Sequence, residues 1–160
     1  MNMNALRTHG RYFWQRRALA AAVLSAVFVC AARDVQAAGR HDIQPPAKSE
    51  FGLGPRASVG GHYTAVLQPS QPLRPRQLQT VLVVVTDSEG HTLDGATIAI
   101  DGGMPQHGHG LPTRPRVTRN LGAGQYEIAG VRFNMGGWWE LSLDITSSGG
   151  SDRVTFNLAL

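Results

Sequence analysis

The ten residues 101–110, DGGMPQHGHG, hold the side chains with the clearest metal-binding chemistry in this chain. One thioether, Met104, and two imidazoles, His107 and His109, lie in a stretch that is otherwise mostly glycine. Thioether sulfur and imidazole nitrogen bind soft and borderline metals without a thiolate. Glycine lets the backbone approach a small ligand closely. Because extended residues two apart point to the same side, His107 and His109 are predicted to face one centre.

A second methionine lies in residues 134–137, NMGG, directly before a pair of tryptophans. Core methionines normally belong to an apolar face, and the pattern around Met104 and Met135 shows no such face. If the two turns meet, the predicted metal ligands are Met104, His107, His109 and Met135. This set suits copper, because thioethers favour the reduced ion and imidazoles accept either oxidation state. Asp101 is predicted to be a further ligand or an acceptor that fixes a histidine tautomer.

The same residues allow a metal-free interpretation. Glycine-rich segments with histidine are often surface turns, and methionines beside tryptophans fill gaps at the end of a sandwich. The basic segment 114–119, with Arg132, fits either an anionic partner or an edge strand whose arginines and prolines prevent sheet-to-sheet aggregation, and the edge strand is the favoured interpretation.

Period-2 alternation of apolar and polar residues predicts the elements that hold these turns. Trp139, Leu141, Leu143 and Ile145 alternate with polar neighbours, and residues 154–160 follow the same pattern. Residues 78–86 form a β-branched run typical of a buried strand. No stretch after residue 38 shows a sustained 3.6-residue period. The pattern predicts an all-β protein, an antiparallel β-sandwich of about seven strands. Tyr126, just after a glycine-containing turn, resembles the tyrosine corner of immunoglobulin-like domains.

Residues 1–37 have the layout of a secretory signal peptide. Arginines precede an apolar run over residues 18–32, and residues 35–37 offer small side chains for cleavage. The run is shorter than the ~20 residues needed to span a bilayer, which favours a cleaved signal peptide. An uncleaved membrane anchor is the alternative. We expect an exported, periplasmic protein in which residues 38–58 form a flexible tether and residues 59–160 form the domain.

Charge and cysteine content exclude several classes of function. Five of the 15 basic residues and one of the 11 acidic residues lie in residues 1–37, so the remainder carries ten of each. The alkaline pI of about 10.0 therefore does not indicate nucleic-acid binding. The single cysteine, Cys30, also lies in the leader. Disulfides, thiolate metal sites and cysteine nucleophiles are thus excluded from residues 38–160.

Three linked motifs resemble the YtkA-like domain family: DGGMPQHGHGLPTRP at 101–115, LGAGQY at 121–126 and VRFNMGGWWEL at 131–141. Members are exported bacterial domains of immunoglobulin-like fold, loosely similar to the CopC-type copper-binding proteins. The resemblance covers residues 78–160. It implies a periplasmic β-sandwich whose Met/His loop corresponds to Met104, His107 and His109, with Met135 in the third motif. The amino-terminal histidine of CopC-type copper sites has no evident match here.

These observations predict a non-catalytic, exported immunoglobulin-like β-sandwich that binds copper or delivers it through a Met/His loop. The chain contains no Gly-x-Ser-x-Gly turn, phosphate loop or close carboxylate pair, so it is not predicted to be an enzyme. The expected partner is an envelope protein that receives or donates the metal. Nucleic acid is not expected, and a membrane is expected only through an uncleaved leader. The alternative is a metal-free protein-interaction module of the cell envelope.

Overall fold

The computed structural model describes residues 43–160. The predicted signal peptide and residues 38–42 of the predicted tether therefore lie outside the described residues. Residues Ile43–Leu160 form one compact unit. In this part of the chain the helical structure is a three-residue 3-10 helix, Lys48–Glu50, and no helix has the length and apolar character needed to cross a membrane.

Two antiparallel sheets contain the strands. The strands are β1 (Arg56–Ala57), β2 (Tyr63–Pro69), β3 (Gln79–Asp87), β4 (Thr97–Met104), β5 (His109–Gly110), β6 (Arg116–Gly122), β7 (Gln125–Val131), β8 (Trp138–Ser147) and β9 (Gly150–Ala159). One sheet has the order β1-β2-β3-β7-β6 and the other β5-β4-β8-β9. Since β1 and β5 have two residues each, seven longer strands build the sandwich, which confirms the predicted all-β, immunoglobulin-like class.

The core lies between the two sheets and follows the alternation in the sequence. In β8, Trp139, Leu141, Leu143 and Ile145 are all buried, whereas the residues between them are partly exposed. The run in β3 does the same and buries alternate valines against the facing sheet. Successive side chains of a strand point to opposite faces, so this register gives each sheet one dry face. The burial of Trp139 also decides which member of the tryptophan pair faces inward.

Tyr126 forms a tyrosine corner, as its position after the glycine-containing turn predicted. The hydroxyl donates to the carbonyl of Leu93 at 2.6 Å and accepts from the amide of Ala96 at 2.9 Å. Both partners lie on the connection between β3 and β4. The side chain is 1 % exposed and ties β7 to the strand crossover.

The basic segment forms an edge strand, as the favoured interpretation predicted. β6 contains Arg116 and Arg119 and pairs on one side only, with β7. Register shifts interrupt the pairing after Val117 and after Asn120. Such irregularities and exposed arginines make a strand edge a poor template for another sheet.

Residues 51–58 differ from the predicted flexible tether. Phe51 bridges Asn157 of β9, and β1 pairs with β2 at Arg56↔Ala65. Ser58 is buried, and its hydroxyl donates to Asp152 at 2.6 Å. Backbone pairing and a buried cap hold this stretch on the sandwich, and neither is visible in a composition rich in glycine and proline.

Four connections share one end of the sandwich. These are residues 70–78, 105–108, 111–115 and 132–137, and we call this end the Met/His pole. The strand registers set it: Gln79 of β3 lies opposite Val131 of β7, and Gly103 of β4 lies opposite Glu140 of β8. The opposite pole consists of the connections 58–62, 88–96, 123–124 and 148–149.

Candidate functional site

A β-hairpin presents the two histidines. β4 ends at Met104, β5 begins at His109, and these two residues are directly paired. The amides of His107 and Gly108 both donate to the Met104 carbonyl, at 3.0 and 2.9 Å, which closes the turn. Gly108 has φ +63, a conformation that glycine adopts without strain. His107 therefore lies in the turn of the hairpin, and His109 begins its second strand.

The histidine rings lie side by side in solvent. Their centroids are 6.1 Å apart and their planes differ by 10°. Both side chains are exposed. Two metal–nitrogen bonds of ~2.0 Å place the nitrogens at most ~4 Å apart, a separation that exposed rings at this distance reach by side-chain rotation. The two rings lie close together although the backbone between them turns at Gly108 instead of being extended.

Met104 lies in the core, contrary to the sequence interpretation that it lacks an apolar face. Its side chain is 2 % exposed and belongs to the main cluster of buried residues. The residue is the last of β4, where the β-sheet face continues although its sequence neighbours are glycine and proline. Directly opposed residues of an antiparallel pair have Cβ atoms ~4.5–5.5 Å apart on the same face. Met104 is thus the cross-strand neighbour of His109, and it is buried where His109 is exposed.

The second turn is held by its tryptophan. The Trp139 indole donates to the Met135 carbonyl at 3.0 Å, and its ring packs edge-on against Phe133 with centroids 5.2 Å apart. Gly137 also exchanges two backbone hydrogen bonds with Leu160, of 2.7 and 3.0 Å. Met135 itself is 41 % exposed. The backbone of this turn is fixed while the thioether faces solvent.

The two methionine-containing turns meet at Gly137. A Cβ placed on this glycine would lie 2.8 Å from the Met104 methyl carbon, closer than carbon atoms pack. Gly137 also has φ +128, a backbone conformation that L side chains rarely adopt. This contact places Met104 and residues 134–137 at the same end of the sandwich. Gly137 is a positioning residue that was not predicted, and its signal in the sequence is the Gly-Gly step before the tryptophan pair.

The donors at this pole divide into an exposed group and a buried one. His107, His109 and Met135 are exposed, and Met104 is buried. Within residues 43–160, no three His, Cys, Asp or Glu side chains are grouped so that they could hold a metal ion. Two imidazoles and a thioether form a donor set of the kind that suits soft ions such as Cu(I).

Asp101 and Trp138 take structural positions. The Asp101 carboxylate accepts a hydrogen bond from the amide of its neighbour Gly102 at 2.8 Å, and its partner across the strands is Ser142. The Trp138 indole donates to the Asn157 side chain at 2.9 Å. Asp101 is exposed and three residues from the turn, so the structure gives no support for its fixing a histidine tautomer.

The family comparison agrees with this architecture. The family model described as YtkA-like matches residues 59–144, more than half of the chain. The chain belongs to the YtkA-like family. The matched range contains both methionine turns, the histidine hairpin and Tyr126. No curated protein and no solved structure matches the chain.

Proposed function

We propose that this YtkA-like protein is exported and binds copper at the Met/His pole through His107, His109 and Met135, with Met104 as the inner thioether. The observation that carries the proposal is the contact between the two methionine turns at Gly137, because it gathers sulfur and nitrogen donors at one end of the sandwich. The export signal predicted at residues 1–37 supports a periplasmic location.

The exposure of the donors supports transfer of the metal rather than storage. A closed site surrounds its ion completely, whereas a site with exposed ligands leaves coordination positions open to an incoming group. His107 and His109 lie on the edge of the four-stranded sheet, where a second protein could share the ion during exchange. We therefore propose that the protein delivers copper to an envelope partner, or receives it, without catalysing a reaction.

The reduced ion is the preferred cargo. Thioether sulfur is a soft donor and selects Cu(I), whereas an imidazole pair alone also accepts Cu(II) and Zn(II). Replacing Met135 by leucine removes the sulfur and keeps a similar volume. The Met135→Leu variant should bind Cu(I) less tightly and change little in its affinity for Cu(II).

The test is a Cu(I) titration of the full chain against a chromophoric Cu(I) chelator. We expect one equivalent of Cu(I) per chain. A His107→Ala/His109→Ala double variant should bind Cu(I) at least ~100-fold more weakly, because mutating even the hydrogen-bond partner of a metal ligand lowers metal affinity 10- to 100-fold. The matched control is a His62→Ala/His91→Ala double variant, which removes two exposed histidines near the opposite pole. It should bind like the wild type.

A conservative variant assigns the role of the buried methionine. Met104→Leu keeps the core filled and removes only the thioether. A Cu(I) affinity that falls while the unfolding midpoint stays constant would make Met104 a ligand. If the wild-type chain takes up no Cu(I), or if both histidine double variants bind equally well, the pole is a metal-free interaction surface and the copper proposal fails.

A further inference from the structure

Charge is divided between the two ends of the sandwich. The connections of the Met/His pole contain Arg74, Arg76, Arg114 and Arg132 and no aspartate or glutamate. The connection 88–96 at the opposite pole contains acidic residues and no lysine or arginine. The two poles therefore have opposite charge, although residues 38–160 carry as many acidic as basic side chains.

Five arginines gather around the end of β7, and we call them the arginine cluster: Arg74, Arg76, Arg114, Arg116 and Arg132. The Arg76 amide donates to the carbonyl of Phe133 at 2.7 Å, and Arg116 pairs with Ala129 of β7. The Arg114 carbonyl lies near Gly130, 3.7 Å from where a Cβ would be. Backbone contacts thus bring residues far apart in sequence to one surface.

The cluster is available to an outside anion. All five side chains belong to exposed residues. In residues 43–160 the arginines that form ion pairs are Arg119, with Glu127, and Arg153, with Asp144. Neither belongs to the cluster. Positive charge that forms no ion pair attracts a negatively charged surface over about one Debye length, roughly 10 Å at 0.1 M salt.

Exposed apolar side chains accompany the arginines. Leu78, on the same connection as Arg74 and Arg76, is 68 % exposed, and Met135 is 41 % exposed. An apolar groove of about 390 Å³ lies beside them, lined by Leu53, Pro72, Leu73, Leu158 and Leu160 among others. Apolar groups set among arginines are typical of proteins that rest at the boundary between lipid headgroups and acyl chains.

The chain also enters the described domain at this pole. The Gln106 side chain, in the histidine turn, donates to the carbonyl of Ile43 at 3.4 Å. Residues 1–42, which include the apolar run 18–32, precede this point. This contact places the start of the described chain at the Met/His pole.

From these observations we propose that the Met/His pole is a docking surface for an anionic phospholipid bilayer. The arginine cluster contacts lipid phosphates, Leu78 inserts among the headgroups, and the acidic pole faces away. The sequence predicted membrane contact only through an uncleaved leader, and this docking is a second contact made by the domain itself. It does not depend on copper, because the arginines and Leu78 are not among the proposed ligands.

The test reconstitutes the full chain in vesicles and reads the distance of two sites from the bilayer. A Cys30→Ser background receives one new cysteine, through either Leu78→Cys or Leu121→Cys, and each is labelled with the same fluorophore. Leu121 is the matched control, since it is exposed and lies next to the opposite pole. In vesicles containing phosphatidylglycerol and a spin-labelled lipid, the label at residue 78 should be quenched severalfold more than the label at residue 121. In pure phosphatidylcholine the difference should disappear.

Charge variants distinguish docking of the domain on lipid from a domain that is only held near the bilayer by the leader. Arg114→Gln/Arg132→Gln removes two cluster charges, and Arg119→Gln/Arg153→Gln removes two charges elsewhere. At about fivefold per arginine, the first pair should weaken docking roughly 25-fold and abolish the extra quenching. The second pair should leave it unchanged. The proposal is overturned if both labels are quenched equally, or if the quenching does not change with lipid charge or with the Arg114 and Arg132 substitutions. A pole that binds a soluble acidic protein instead of lipid would give these results.

Discussion

The contact between Gly137 and Met104 gives the sharpest prediction. An alanine at position 137 would have to adopt φ near +128 and would place its methyl group 2.8 Å from the Met104 methyl carbon. The backbone strain costs of order 1–3 kcal/mol. The overlap between the two methyl groups adds about 1 kcal/mol, which is at the low end of the cost of overpacking a core. The cost is low because the end of the methionine side chain is flexible, and it is not zero because its surroundings are densely packed. Gly137→Ala should therefore lower the free energy of unfolding by about 2–4 kcal/mol.

A double-mutant cycle isolates the steric part. In a Met104→Ala background the alanine at position 137 no longer overlaps a methionine methyl group. The loss of unfolding free energy caused by Gly137→Ala should therefore be smaller by about 1 kcal/mol, and only the backbone strain should remain. Gly90→Ala is the matched control, since Gly90 has φ +87 and an added Cβ there would meet no atom within 4 Å. It should cost the same in both backgrounds.

Urea unfolding monitored by tryptophan fluorescence measures the cycle. Coupling of about 1 kcal/mol exceeds the ~0.3–0.5 kcal/mol within which independent sites add. If Gly137→Ala and Met104→Ala were additive, or if Gly137→Ala cost no more than Gly90→Ala, the two methionine turns would not be in contact. The convergence on which the copper proposal depends would then be wrong.

Two further predictions concern stability. Tyr126→Phe removes the hydroxyl that bonds Leu93 and Ala96 and should cost about 1–3 kcal/mol in urea unfolding, because backbone groups of the β3–β4 connection lose their partner; an unchanged midpoint would contradict the tyrosine corner. Hydrogen bonds from the Ser58 hydroxyl and from backbone amides, including that of Gly60, hold the pKa of the Asp152 carboxyl well below its usual range. A lowered pKa in the folded state stabilises the fold above pH ~4, and this stabilisation is lost as the pH falls further. Asp152→Asn should therefore flatten the loss of stability below about pH 5 in urea midpoints measured against pH, and an acid limb as steep as that of the wild type would contradict this.

Some features of the candidate site could be predicted from local patterns and others could not. Alternation predicted the strands because side-chain direction in a strand has a period of two, whatever the partner. The burial of Met104 could not be predicted, because its neighbours are glycine and proline and only the facing sheet supplies its apolar contacts. The pairing of residues 51–58 was missed for a similar reason, since backbone hydrogen bonds to β2 and β9 leave no trace in side-chain composition.

Composition and local patterns were enough to predict the candidate donor types, the all-β class and the family. Without a cysteine after residue 37, any soft metal must be bound by thioether and imidazole, and this follows from composition alone. Which candidate donors lie at the same pole became clear only from the fold. Strand register brings residues 104 and 137 into contact and gathers arginines from three connections around one strand end. Such contacts depend on long-range pairing between the strands, which short-range sequence patterns do not encode.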